Sequence, residues 1–396
     1  MISRNACYWI WITLSIGYNN PKVKRISEMY SDVSAFYYGG ISEWRLCGIF
    51  SQKDIERFSS TGLDDAKKIV DRCIECNYSI LCIDDELFPK CLYNIECPPA
   101  LIYVNGVMPD IDNTFSIGIV GTRRATKYGI ENSYRFAYAL SKYGTIIVSG
   151  GALGVDGASH RGALATDGIT ICVRGCGLNC SYLRENSDIR STIPKRGAVI
   201  TEYPPDETPR NYYFPARNRI IAALSDGLLV MEAGKKSGSL ITANLAAEQG
   251  KTIFALLGNN SPQNEGSNAL IKEGLAIPVT DFMDILCEFD SLYATTDDEF
   301  DIDNISLADT GNFPVKGIRK QAPARIYVNK QNDQPPAKTA VPYVSEKSET
   351  VVQKPVHKEN LNLPKTAQDV YEYIGNEPVH IDKISADLKI PVFKVL

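Results

Sequence analysis

The chain has 396 residues, 44% of them hydrophobic and 22% charged, with 29 glycines, 21 prolines and a formal net charge of −5. That length allows two or three domains with a large core, and the composition excludes collagen-like and wholly disordered chains. The acidic balance excludes a basic surface overall, so any polyanion has to be held by a local patch of positioned residues.

Residues 7–16 form the first apolar run, around Trp9, Ile12 and Ile16. It is shorter than the roughly 18 residues a bilayer span needs, and it lacks the basic flank and small-residue cleavage site of a signal peptide. It predicts a buried helix of a cytoplasmic protein. Periodicity continues through Val23, Ile26 and Tyr30, and Gly39, Gly40, Gly48 and Gly62 punctuate the segments that follow. Residues 1–77 therefore predict a small helical domain, of the helix-hairpin-helix kind. The 11 cysteines are scattered, which predicts reduced thiols. Neither the lone pair Cys73 and Cys76 nor the series Cys172, Cys176 and Cys180 has a fourth ligand at metal-site spacing, so no metal and no cofactor is expected.

From Tyr78 a connecting stretch leads through Pro98 and Pro99 to the apolar residues 101–104. Residues 116–120, 145–148, 169–173, 198–200, 227–231 and 252–256 are then short, nearly unbroken apolar runs. Runs without alternation suit strands covered on both faces. Helix-length stretches between them, such as 129–142 and 239–249, imply crossovers. The expected fold is α/β, a doubly wound and mostly parallel Rossmann-like sheet over residues 78–290. Residues 291–363 are poor in apolar residues and predict a disordered linker. Periodicity resumes at Val370, Tyr373, Ile381 and Leu388, so residues 364–396 predict part of a winged-helix domain that stops before the recognition helix and wing.

Ligands of an open parallel sheet bind beyond the carboxyl ends of its strands, so the turns after each run are the candidate site. Gly121, Arg123, Arg124 and Lys127 follow the first run and suit a phosphate at a helix start, although a solvated helix start would look the same. Ser149, Gly150 and Gly151 follow the second. Asp156 and His160, four apart, would share a helix face as a base and its orienter or as a structural contact. Arg210, Arg217 and Arg219 are interleaved with Tyr212, Tyr213 and Phe214, and no acid falls between Glu207 and Asp226. Arginine forks grip phosphates and flat rings stack on unpaired bases. Lys235, Lys236, Ser237, Gly238 and Ser239 form a last phosphate-type turn. Neither GxGxxG nor GxxxxGK[ST] is present, which argues against an ordinary dinucleotide or P-loop site.

Four strings taken together resemble the bacterial DNA-processing protein family, DprA or Smf. They are IVGTRRAT at 119–126, SGGALGVD at 149–156 followed by His160, FPARNRII at 214–221 and SGSLITA at 237–243. The resemblance runs from about residue 83 to 281. It implies a sterile-alpha-motif-like N-terminus, a winged-helix C-terminus and a homodimer formed through the Rossmann-like domain. It also implies binding rather than turnover: coating and protecting single-stranded DNA and loading the RecA recombinase during natural transformation. Carried over by position, Arg123, Phe214, Arg217, Asn218, Arg219, Lys235 and Ser237 fall in strings that line the family's DNA pocket, while Gly150, Gly151 and Asp156 shape a loop. The chain departs from the family in having Leu257-Gly258 where Pro-Gly is usual. Two other readings compete. Glu232 and the glycine-rich turn after it partly echo the LOG phosphoribohydrolases, and nucleotide-sensing Rossmann modules share the architecture.

Overall fold

A computed structural model describes residues 1–289. The chain divides into units 1–329 and 330–396, and every described residue belongs to the first. The predicted linker and the partial winged helix lie outside the described residues.

Five helices come first: α1 (Ala6–Ile16), α2 (Lys22–Met29), α3 (Val33–Leu46), α4 (Gln52–Ser60) and α5 (Leu63–Glu75). The apolar first run is a helix buried nearly all round, with Trp9, Ile10, Trp11 and Ile12 all inside. A helix without a polar face needs neighbours on every side. α1 has them in α3, α4 and α5, and in the first two strands, β1 (Ser79–Cys82) and β2 (Leu101–Gly106). The Trp11 ring lies 4.9 Å from Tyr37, 5.0 Å from Phe58 and 5.7 Å from Trp44, and its indole N–H donates to the Thr61 carbonyl at 2.9 Å. Ser51 and Asp54 close a capping box at the start of α4, and Lys22 ties that box to α2 at 2.6 Å. All eleven cysteines are free thiols, Cys73 fully buried on α5.

The short helix α6 (Lys90–Tyr93) separates β1 from β2. The chain then alternates: β3 (Ser116–Val120), α7 (Lys127–Lys142), β4 (Ile146–Ser149), α8 (Val155–Ala165), β5 (Thr170–Val173), α9 (Ser187–Thr192), β6 (Ala198–Thr201), α10 (Tyr213–Ala223), β7 (Gly227–Val230), α11 (Gly238–Glu248), β8 (Thr252–Leu256), α12 (Glu265–Lys272), β9 (Ile277–Val279) and α13 (Met283–Glu288). The strands form one sheet in the order β1-β2-β6-β5-β4-β3-β7-β8-β9. From β6 to β9 every neighbouring pair is parallel, while β1 and β2 are antiparallel additions at one edge. The six predicted runs are all strands of this sheet. The stretch left as a connection holds β1 and β2, and β9 is also additional.

Successive strands step outward from β3 to β6, and β7 then returns to the far flank of β3. Between β3 and β7 the direction of winding reverses, so their following loops part and leave a crevice. The inner strands β4 to β7 are buried along their whole length, as strands covered by helices on both faces must be.

The Trp11 cluster dominates the helical module, so Trp11→Ala is expected to cost about 3–5 kcal/mol of unfolding free energy, read from urea denaturation. A loss below about 1 kcal/mol would mean the rings do not pack as described.

Candidate nucleic-acid interface

Residues from four turns meet in one cleft of 540 Å³ at the carboxyl edge of the sheet. The turn after β3 contributes Gly121, Arg123 and Arg124; the start of α8 contributes Asp156; α10 contributes Phe214, Arg217 and Asn218; the start of α11 contributes Ser237, Gly238 and Ser239. Phe214, Arg217, Asn218 and Ile221 follow i, i+3, i+4, i+7 spacing, so one face of α10 forms a wall of the cleft.

Arg217 is at the base of that wall. Although it is only 6% exposed, it meets no carboxylate at ion-pair distance among the described residues. Its Nη1 instead donates to the Gly150 carbonyl at 2.9 Å and to the Val173 carbonyl, and its Nε to Asn218 Oδ1 at 3.2 Å. Gly150 has to be glycine: a Cβ there would come within 2.8 Å of both the Arg217 guanidinium and Asp156 Oδ2. Gly151 follows at φ +67°, a backbone conformation that glycine adopts freely. Burial raises the Asp156 carboxyl above the usual range, opposed by Arg217 and by the backbone amides of Ala152 and Gly150. Burial likewise depresses the Arg217 guanidinium.

The rim carries two exposed arginines, Arg123 and Arg124, and two flat rings. Arg123 is exposed, with its guanidinium 5.4 Å from the Phe214 ring centroid and its Nη1 donating to the Tyr182 hydroxyl at 3.3 Å. The Tyr182 and Phe214 centroids are 5.4 Å apart. Opposite them, Ser237 caps α11 by accepting from the Ser239 amide, so the positive end of that helix borders the cleft.

The family model for DNA recombination-mediator protein A matches residues 79–290. The chain belongs to that family. Protein Smf of Escherichia coli (strain K12) is 39% identical over 212 residues, covering 53% of this chain and 56% of that protein. The DNA processing protein DprA of Streptococcus pneumoniae (strain R6) is 38% identical over 215 residues, covering 54% of this chain and 74% of the relative. An X-ray structure of the S. pneumoniae protein superposes with a TM-score of 0.62 at 30% identity, covering 71% of this chain and 97% of that one. The chain spans 56% and 65% of the lengths of the E. coli and Bacillus subtilis relatives that it matches.

Several of the candidate residues lie elsewhere. Arg219 comes two residues after Arg217, which turns it about 200° around α10, away from the cleft. Its Nη2 is paired with buried Glu202 at 2.7 Å, and its Nε donates to the Cys97 carbonyl at 2.9 Å. Lys127 is exposed beside Glu131 on α7, and Lys235 lies 3.4 Å from Glu265. Neither they nor exposed Lys236 line the cleft. His160 does not orient Asp156. It is wholly buried, its Nδ1 lies 2.8 Å from Thr170 Oγ1, and burial holds its pKa down at about 3. Ser149 fastens β4 to β3 by donating to the Ile119 carbonyl at 2.6 Å. Glu232 also stays out of the cleft: its carboxylate accepts from the Thr126 amide at 2.8 Å and from the Thr126 hydroxyl at 2.6 Å. Tyr182 and Asn211, not singled out in the sequence, do line it. Among the described residues, no group of His, Cys, Asp and Glu is placed to hold a metal, and no helix is long and apolar enough to cross a membrane.

Glu202 already has one carboxylate oxygen without a hydrogen-bond partner. Arg219→Ala would leave the buried carboxylate without its counter-charge, with only the long contact from the Asn19 amide, at an expected cost of about 3–5 kcal/mol in chemical denaturation. A stability unchanged from wild type would return Arg219 to the set of residues free for a ligand.

Proposed function

We propose that this cleft binds single-stranded DNA without sequence preference, and that the protein acts by holding the strand rather than by turning over a substrate. The observation that carries the reading is the rim cluster of Arg123, Tyr182 and Phe214 above Arg217. Rings able to stack on any base stand beside guanidinium groups able to meet the adjoining phosphates. Asp156 is the sole acid lining the cleft, and burial disfavours its charge. A chain with a net charge of −5 thus concentrates positive potential at one crevice. Paired bases keep their faces stacked on one another, so a duplex offers such rings nothing to stack against.

Family membership supports the wider reading. In it the bound strand is shielded from nucleases and passed to the RecA recombinase during DNA uptake and recombination. The protein acts in the cytoplasm as a homodimer through the sheet domain. The competing phosphoribohydrolase reading needs a carboxylate at the reacting centre, and Glu232 is committed to Thr126 instead.

For single strands, the log of the binding constant falls with log salt at about 0.7 per phosphate contacted. Arg123→Ala with Arg124→Ala is expected to reduce that slope by about 1.4, and Arg219→Ala to leave it unchanged. Phe214→Ala is expected to cost about 1–3 kcal/mol of affinity with little change in slope. Fluorescence anisotropy titrations at several salt concentrations measure both. If the arginine and phenylalanine variants all bound like wild type, the cleft would not be the strand site.

A further inference from the structure

Next to the cleft lies a small second recess, and Arg123, Tyr182, Phe214 and Arg217 border both spaces. Four arginines line it, Arg123, Arg174, Arg190 and Arg217, and no aspartate or glutamate does. Arg174 and Arg217 are each 6% exposed, and Arg190 is half-buried. Their hydrogen-bond partners are all neutral: mostly backbone carbonyls, with the Cys176 thiol for Arg174, the Tyr182 hydroxyl for Arg123 and the Asn218 amide for Arg217. Arg174 donates to Leu178 O and Cys180 O, both at 2.7 Å, and Arg190 Nη1 donates to Leu183 O at 2.7 Å. Arg217 donates to Gly150 O and Val173 O. Buried charges ordinarily have counter-charges, because carbonyl dipoles alone do not offset the loss of water. Here the cationic groups also repel one another: burial, and after it Arg174, depresses the Arg190 guanidinium. Asp156, buried just outside the recess, answers Arg217, but no carboxylate meets Arg174 or Arg190 at ion-pair distance among the described residues, and beside those two the place is left to an outside anion.

Size narrows the anion. The recess has 20 Å³, room for about one water-sized atom, so a base cannot enter while an oxygen of a tetrahedral oxyanion can. A phosphate monoester carries nearly two negative charges at neutral pH, against one on a backbone diester.

The geometry points to a phosphate site: the recess takes an oxygen of a phosphate monoester or of inorganic phosphate lying at its mouth, with Arg190 and Arg174 as its selective ligands. The strand-end form of this inference rests on the single-strand reading of the neighbouring cleft; the inorganic phosphate form does not.

The test uses the full chain and Arg190→Gln. Arg190 is chosen because Arg174 also holds two loop carbonyls, and Arg190→Lys serves as a second variant that keeps the charge without the fork. Inorganic phosphate alone is expected to raise the melting temperature of wild type but not of Arg190→Gln. Single strands of one sequence, ending in a phosphate or in hydroxyls, are then compared by anisotropy. A terminal phosphate is expected to tighten binding on the order of tenfold, the strength of a charge-assisted contact, and Arg190→Gln to abolish that gain while hydroxyl-ended strands bind as before. A response to inorganic phosphate without any end preference would identify free phosphate as the occupant. If no strand bound but the phosphate response persisted, the single-strand reading would fail and the recess would stand. With wild type indifferent to both inorganic and terminal phosphate, or with the variants responding as wild type does, the site does not exist.

Discussion

A buried guanidinium bound to the carbonyl ends of two parallel strands organises this molecule. Arg217 reaches from α10 across the edge of the sheet to the carbonyls of Gly150, after β4, and Val173, the last residue of β5. Strand ends in a parallel sheet point their unpaired carbonyls outward, and one guanidinium nitrogen of Arg217 bridges two of them, leaving the group's other donors for further partners. That bridge sets the rotation of α10. Once Arg217 faces the sheet edge, helical periodicity puts Phe214, Asn218 and Ile221 on the cleft wall and sends Arg219 to the opposite side, against Glu202.

The same constraint explains how an acidic protein builds a site for an anion. The guanidinium groups at the cleft are held by neutral dipoles and rings rather than by carboxylates, so their charge is positioned without being cancelled. The acids nearby are occupied elsewhere. Glu232 satisfies the turn after β3 through Thr126, and Glu202 holds Arg219. The carboxylate of Asp156 is buried where its ionised form is disfavoured. Local arrangement therefore decides the potential at the crevice, and the charge of the chain as a whole does not.

Much of this was legible in the residues, and what was missed has physical causes. The inner strands stood out because burial on both faces demands unbroken apolar runs, and their alternation with helices implied a parallel sheet with its ligand site beyond the carboxyl ends of the strands. β1 did not stand out, and the apolar residues 101–104 of β2 were not counted among the sheet strands, since an antiparallel pair at the edge needs no crossover helix to announce it. Arg217 and Arg219 were both expected at the pocket, and their divergence turns on α10 beginning at Tyr213. Pro215 lies in the first turn of that helix, where proline is tolerated because its missing N–H has no intrahelical partner. Tyr182 comes from residues 174–186, which have no apolar period, and its place beside Phe214 is a product of tertiary packing alone.

The most direct test of the central claim is to locate a bound strand on the protein. A single strand carrying 5-iodouracil, irradiated with the full chain and mapped by peptide mass spectrometry, reports which rings lie against its bases. The account predicts crosslinks at Tyr182 and Phe214, lost when an unmodified strand competes. Crosslinks confined to rings outside the cleft, such as Tyr38 or Tyr128, would contradict it.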